Sequence, residues 1–348
     1  MRLAVLVAPK RIEIRDVDPG ELRRGEIRVK IRAALTCGTD LKTYRRGHPK
    51  LGFGPFGHEA SGDVIATADG VAKFKTGDAV MWVQTAPCGA CAACRSGREN
   101  LCERLTDDMA LGAYADELVL AKKIVERNVF LKPVNLTYIE AAFLEPLACV
   151  VHGWNVLRRL GPPRDVAIVG AGTIGMLHLQ YAARAGIPAT VIARRGERRE
   201  LSSRLGAVEF VVGPVNAGAA AAFGGPTTSK FDAVIECAGS LESWALAVSL
   251  ARPGGRVLLF GGLPSGSQPV VDATRLHYEE LALLGAFHFN PDDVVEARDL
   301  LSSGSLDLKS LITGIEPLAA LPQVFERLDA RQGHKYALVP DSSMPKWV

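Results

Sequence analysis

Residues 165–186 read DVAIVGAGTIGMLHLQYAARAG. The first five residues are a short apolar, β-rich run, and the last eleven are helical in texture. Between them Gly170, Gly172 and Gly175 stand in the pattern G-x-G-x-x-G. In that strand–turn–helix setting each glycine has a use. The first permits a tight turn, the second lets the backbone approach a pyrophosphate, and the third allows close helix–strand packing. Thr173 and Ile174 open the helix, where unpaired N–H groups and the positive end of the helix dipole suit phosphate oxygens. The alternative is a glycine-rich turn with no ligand. The segment is read as the phosphate cradle of a dinucleotide site.

Strands and helices alternate on both sides of the turn. ATVIA, FDAVIECAG, GRVLLFGG and LALLGAF read as strands, with helices at ERRELSSRLG and around Trp244 to Leu250. This texture predicts a parallel, doubly wound sheet over residues 153–289. Ala193, Arg194 and Arg195 fall about 23 residues after Gly170, where a carboxylate would accept the ribose hydroxyls of NAD. A small residue followed by two arginines leaves room for a 2′-phosphate and offers it bidentate donors, which favours NADP over NAD. Both arginines pointing to solvent is the competing reading. The Ala/Gly-rich stretch from Asn216 to Gly225 reads as a loop or short weak helix.

The first part of the chain reads as short strands: MRLAVLVAPKRIEIRD as a first strand, then EIRVKIRAAL with Ile27, Val29 and Ile31 on one face, ASGDVIATA and GDAVMWV. From about Tyr138 the texture is helical until Gly161–Pro163 stops it. After Asn290 a helix, PDDVVEARDLLSSG, leads into mixed structure that returns to the first domain. With 348 residues the chain is about two typical domains long. The expected division is a β-rich domain of residues 1–152 and 290–348 around the doubly wound domain. A net charge of +3 gives no reason to expect a nucleic acid or a membrane surface as partner. No apolar run reaches the ~20 residues of a membrane-spanning helix. Seven cysteines without an export signal fit a reducing compartment, the cytoplasm.

Four of those cysteines share one stretch, PCGACAACRSGRENLC, in which Cys88, Cys91, Cys94 and Cys102 are spaced C-x2-C-x2-C-x7-C. That spacing lets four thiolates converge on one tetrahedral Zn²⁺, in a lobe of about residues 87–103. With four sulfur ligands no position stays open, so this zinc would be structural. The alternative is a disulfide pair. Three further segments carry a second possible set: Cys37 and Thr39 in TCGTD, His58 and Glu59 in FGHEASG, and Glu145 in FLEPLAC. A thiolate, an imidazole and carboxylates can hold a zinc with one position open. Each also has a bland reading: a core cysteine, a turn histidine, a helix-surface acid.

With CGTD, GHEASGDV, the cysteine lobe, EPLACVVHG, GAGTIG and GRVLLFGG in this order, essentially the whole chain resembles the zinc-dependent medium-chain alcohol dehydrogenases, in the branch around sorbitol and threonine dehydrogenases. The resemblance implies a GroES-like, barrel-rich catalytic domain and a Rossmann domain with the active site in the cleft between them. It implies two zinc ions per chain and a homodimer or homotetramer. Cys37 and His58 then match catalytic zinc ligands, Glu59 an acid that ligates or closely approaches the metal, and Glu145 a direct or water-bridged ligand. Thr39 matches the hydroxyl that bonds the substrate oxygen and starts a proton relay. Where the family often ends that relay with a histidine, five residues after the zinc cysteine, this chain has Lys42, which either passes the proton or contacts cofactor phosphate. Phe287, in GAFHFN, falls near the segment that lines the nicotinamide pocket in relatives.

The expected reaction is reversible oxidation of a polyol, sugar or other primary or secondary alcohol, with hydride passing to C4 of the nicotinamide. A zinc-independent quinone or enone reductase would lack the Cys–His–Glu set and the lobe, and a catalytically inactive structural relative would be expected to lose a ligand. Substrate specificity is expected from residues between Tyr44 and Phe56 and around Leu111 to Tyr114. Tyr44 to His48 offers either a seat for an anionic or polyhydroxylated substrate or merely solvated surface.

Overall fold

The structure, a computed structural model, describes residues 1–48, 52–215 and 231–339. Residues 49–51 of the expected specificity loop, and the stretch from Asn216 to Gly225, lie outside the described residues. The chain divides into two compact units, Met1–Ala148 with Phe289–Val348, and Cys149–His288.

The second unit is built on six parallel strands in the order Glu209–Val212, Ala189–Ala193, Val166–Val169, Phe231–Glu236, Ala251–Leu259, Ala282–Gly285. Counted along this unit the order is 3-2-1-4-5-6, the doubly wound dinucleotide-binding arrangement. Val166–Val169 is the central strand, paired on both sides, and all four of its residues are fully buried, as a parallel sheet covered on both faces requires. Glu209–Val212 was not among the strands expected. It has only four residues, EFVV, two of them exposed, so it carries neither a long apolar run nor a clean alternation.

In the first unit a larger sheet runs Gly314–Pro317, Tyr336–Val339, Ile27–Leu35, Glu59–Thr67, Ala79–Trp82, Val129–Leu131, with Glu117–Leu120 also pairing on Ile27–Leu35. Ile27, Val29 and Ile31 are buried while Lys30 is exposed, the alternation of a strand with one face on a core. The chain's opening is a hairpin rather than one strand: Arg2–Ala8 and Arg11–Asp16 pair antiparallel. Pro9 and Lys10 interrupt the apolar run, and Lys10 turns the chain at φ 60°.

The helical stretch from Tyr138 is two helices, Tyr138–Ala141 and Leu144–Arg158. Thr137 and Glu140 form a reciprocal capping box on the first. The break at Ala142 and Phe143 lets the second start afresh, with Glu145 in its first turn.

Candidate active site and metal centres

Sheet register assembles the first cluster. Ile27–Leu35 and Glu59–Thr67 are antiparallel with Leu35 opposite Glu59. The residues just beyond that pair, Cys37 and His58, are thereby brought face to face. Cys37 is also the N-cap of helix Gly38–Arg46, its sulfur accepting from the Thr39 amide at 3.4 Å. Gly57, at φ 91°, turns the chain ahead of His58, and a Cβ there would lie 2.7 Å from the Tyr114 ring. Ligand atoms of Cys37, His58 and Glu59 all lie within 4.8 Å of one another. Glu145 approaches from its own helix, Oε2 lying 4.0 Å from His58 Nε2. Glu145 is 5 % exposed and is therefore a buried acid, not a helix-surface one.

Each member is held from behind. His58 Nδ1 lies 3.1 Å from Asp40 Oδ1, which leaves Nε2 for the cluster. Asp40 in turn accepts from the Tyr114 hydroxyl at 2.6 Å. Gln84 Nε2 donates to Glu145 Oε1 at 2.9 Å. Lys335, 2 % exposed, pairs with Glu59 and donates to the Thr36 carbonyl at 2.9 Å. Tyr114, expected in a specificity loop, is instead fully buried as a support of Asp40. Tyr44 is likewise buried, its ring tilted against that of Phe325 at 5.2 Å, and Arg45 is committed to Asp329 at 2.6 Å. Neither is placed as a substrate contact. Asp40, Gln84 and Lys335 were not singled out from sequence. Asp40 sits inside CGTD and was within reach, since a histidine ligand usually needs an acceptor on its second nitrogen. Gln84 and Lys335 carried no local signal.

Burial, then the nearby Glu59 carboxylate, raise the Cys37 thiol above its usual value. Burial pushes Glu59 up to about 7 against the pull of Lys335, with the Glu145 carboxylate adding to the rise. Burial opposes charge on His58, yet the Asp40 carboxylate and the Cys37 sulfur hold its pKa well above the usual range. Cys37 is raised in part by repulsion from Glu59, and Glu59 in part by repulsion from Glu145, which a divalent cation among them would relieve. Thiolate, imidazole and two carboxylates suit zinc, so the residues fit the metal.

Thr39 and Lys42 are both exposed on helix Gly38–Arg46. Three residues apart, they lie on one helix face.

The cysteine lobe is also assembled. Sulfur–sulfur distances are 3.5 Å for Cys91–Cys94, 3.9 Å for Cys91–Cys102 and 4.0 Å for Cys88–Cys94. Four sulfurs each 2.3 Å from a tetrahedral zinc stand about 3.8 Å apart, so these edges fit one ion. No disulfide forms, and all four are free thiols. The amides of Ala90 and Cys91 pull Cys88 down to about 6, favouring its thiolate, while burial and neighbouring thiols push Cys94 up to about 12. A cation among the four sulfurs would favour their thiolate forms.

In the second unit the three glycines differ as their proposed uses require. Gly170 has φ 114°, outside the ordinary range of other residues. A Cβ on Gly172 would meet nothing within 4 Å, leaving the backbone open to a ligand. A Cβ on Gly175 would lie 1.9 Å from the Gly170 carbonyl oxygen, so helix Thr173–Arg184 sits against the turn only because that side chain is absent. Ala193 ends its strand buried, and Arg194 and Arg195 are exposed, Arg195 lying 3.5 Å from Glu197 at the surface. Arg198, not singled out from sequence, is half-buried. Its Nη1 is enclosed without a hydrogen-bond partner among the described residues, and burial lowers its pKa to about 10. Phe287 is 63 % exposed.

A doubly wound dinucleotide unit, together with a second unit that gathers cysteine, histidine and glutamate, defines a metal-dependent nicotinamide dehydrogenase. Residues 23–128 match the family model of the alcohol dehydrogenase GroES-like domain, and residues 173–303 that of the zinc-binding dehydrogenases. Among solved structures, a Sinorhizobium meliloti 1021 protein assigned to the zinc-binding dehydrogenases and bound to NADP is 30 % identical, with TM-score 0.85 over 97 % of this chain and 99 % of that one. Galactitol-1-phosphate dehydrogenase from Escherichia coli is 26 % identical, with TM-score 0.84 over 98 % and 100 %. Sorbitol dehydrogenase of Bacillus subtilis (strain 168) is 29 % identical over 94 % of this chain and 93 % of its own. The chain belongs to the zinc-dependent medium-chain alcohol dehydrogenase family, with its GroES-like and Rossmann parts. It is an oxidoreductase that moves hydride between an alcohol and a nicotinamide cofactor, and zinc belongs to its chemistry.

Proposed function

We propose that this protein is an NADP-preferring dehydrogenase of a polyol, sugar or other primary or secondary alcohol, with catalysis at the cluster of Cys37, His58, Glu59 and Glu145. The observation that carries this reading is the cluster itself: His58 Nε2 turned to Glu145 Oε2 at 4.0 Å while Asp40 holds Nδ1 at 3.1 Å. Cys37, His58, Glu59 and Glu145 would hold the catalytic zinc, and Cys88, Cys91, Cys94 and Cys102 a second, structural zinc. Bound there, zinc would supply a Lewis acid that lowers the pKa of the alcohol, and a nicotinamide would supply the hydride acceptor. Thr39 would hydrogen-bond the substrate hydroxyl and take its proton while giving up its own toward solvent, and Lys42, on the same helix face, either joins that relay as a neutral amine or contacts cofactor phosphate. The net change is alcohol plus oxidised cofactor to carbonyl plus reduced cofactor and one proton.

Residues 1–152 and 290–348 act as the catalytic domain and 153–289 as the cofactor domain, within a homodimer or homotetramer. Seven free cysteines fit a reducing cytoplasm. Among the described residues no helix is long and apolar enough to cross a membrane. Gly170, Gly172, Thr173, Ile174 and Gly175 cradle the pyrophosphate, and Phe287 borders the nicotinamide through its backbone. Ala193 leaves space for the 2′-phosphate, which Arg194, Arg195 and Arg198, whose Nη1 has no hydrogen-bond partner among the described residues, would receive. Support for the substrate class comes from the relatives named for sorbitol and galactitol 1-phosphate.

The test is turnover over a panel of polyols, sugar phosphates and simple alcohols with each cofactor, on protein assayed for metal. Two zinc per chain, polyol turnover and a preference for NADP of roughly ten- to a hundredfold in kcat/KM are expected, the worth of one or two charge-assisted contacts. Arg198→Ala should reduce that preference. A protein that uses NAD at least as well, unchanged by Arg194→Ala and Arg198→Ala, refutes the cofactor assignment.

A further inference from the structure

Strand Phe231–Glu236, FDAVIE, ends on a carboxyl group. Glu236 is fully buried, opposite Val169 on one neighbouring strand and Leu259 on the other. Burying a carboxyl group is costly unless hydrogen bonds replace its water, and burial raises the pKa of this one. The replacement comes from the turn that follows. Oε1 accepts from the amides of Ala238 and Gly239, both at 2.7 Å. Oε2 fills the place a side chain on Gly261 would need, 2.6 Å from where its Cβ would stand. The Gly261 carbonyl in turn accepts from Trp244 Nε1 at 2.9 Å.

The same turn lies against the dinucleotide site. Cys237 donates its amide to the Val169 carbonyl at 2.8 Å, and a Cβ on Gly170 would lie 3.2 Å from the Ala238 nitrogen. The turn is therefore packed on the first glycine of the phosphate cradle. Val166–Val169 and Phe231–Glu236 are the first and fourth strands of the unit, adjacent where the strand order reverses. Ligands of such sheets lie outside the carboxyl ends of the strands at that place. Of the two mononucleotide-binding halves, the one with Ala193 at the end of its second strand would take the adenosine ribose. The half that begins with Phe231–Glu236 is left for the nicotinamide.

We propose that Glu236 is a positioning residue of the cofactor site, which by taking two amides holds the turn of residues 237–239 as the wall that meets the nicotinamide half. The inference rests on the phosphate-cradle reading above.

The test is titration calorimetry of the full chain with NADPH and with 2′,5′-ADP, its adenosine half, and in parallel with NADH and AMP. In Glu236→Leu the whole cofactor binds at least about tenfold more weakly, the scale of one lost net hydrogen bond, while the adenosine half binds as it binds the wild type. Glu236→Gln, which keeps an oxygen for both amides, restores binding of the whole cofactor. A carboxyl group that serves the fold alone would weaken both ligands together or neither, and either result overturns the proposal. So does a Glu236→Gln protein as weak as Glu236→Leu. Should Glu236→Leu fail to fold, Gly261→Ala carries the test by the same comparison, since its methyl would lie 2.6 Å from Oε2 and 2.5 Å from the Gly239 nitrogen. A wild-type protein that binds neither whole cofactor nor either adenosine half would instead overturn the phosphate-cradle reading, a distinct result.

Discussion

Asp40 serves two neighbours at once, His58 Nδ1 at 3.1 Å and the Tyr114 hydroxyl at 2.6 Å. Its carboxylate fixes the tautomer and angle of the imidazole that faces the cluster. Asp40→Asn keeps the shape and removes the charge, so zinc affinity at the catalytic centre should fall about 10–100-fold. Competition against a chromophoric chelator measures this, and unchanged affinity would show that His58 needs no such anchor. His178 poses the opposite case, a histidine with nothing to hold it. It is fully buried in the second unit, edge-on to Phe260 at 4.7 Å, and among the described residues neither ring nitrogen has a hydrogen-bond partner. Burial lowers its pKa to about 3. Between about pH 6.5 and 3 the unfolded chain protonates this ring and the folded chain does not, so stability is full above 6.5 and falls as pH drops. At about 1.4 kcal/mol per pH unit the whole interval amounts to roughly 5 kcal/mol. His178→Leu removes that dependence at similar volume. Thermal unfolding from pH 7 to 5 should show a shallower loss of Tm in the variant, and parallel curves would show that His178 does not titrate on unfolding.

At the scale of elements, strand Val166–Val169 and helix Thr173–Arg184 meet over a turn that tolerates no side chain at one glycine and leaves space at another. Gly175→Ala drives a methyl to 1.9 Å from the Gly170 oxygen, so helix and turn must part. The expected loss is about 1–3 kcal/mol of stability, as for other overpacked sites. Gly172→Ala meets open space at an ordinary φ of −72° and should change stability by less than about 0.5 kcal/mol. If the turn is a phosphate cradle, its methyl would stand where the pyrophosphate approaches and weaken binding of the nicotinamide cofactor in a fluorescence titration. Equal behaviour of the two variants would remove the case for a phosphate cradle. This turn was readable in sequence because everything it needs lies within seven residues. Glu209–Val212 and the opening hairpin were harder, since four half-exposed residues and a Pro-Lys turn leave almost no periodic signal.

At the scale of the molecule, legibility followed sequence distance. The cysteines of the lobe span fifteen residues and announce themselves by spacing. Cys37, His58 and Glu145 took meaning only together, and Lys335 could not be found at all, because its meeting with Glu59 depends on how Tyr336–Val339 registers against Ile27–Leu35. The same contrast predicts how the two metals behave. The lobe brings its four sulfurs within 4.8 Å of one another, three pairs of them at 3.5–4.0 Å, so a zinc held there would have no open position and would contribute folding free energy. The His58 cluster is already braced by Asp40, Gln84 and Lys335, so a zinc held there would contribute chemistry instead. Cys91→Ser should therefore lose one zinc per chain and lower the Tm by roughly 6–12 °C, the shift for about 3 kcal/mol in a unit of this size. Its turnover at low temperature should persist. His58→Ala should lose the other zinc and all turnover, with a Tm within a few degrees of wild type. Calorimetry paired with metal analysis separates the outcomes. A Cys91→Ser protein that is one zinc short yet melts with the wild type would show that the lobe's metal does not hold the fold.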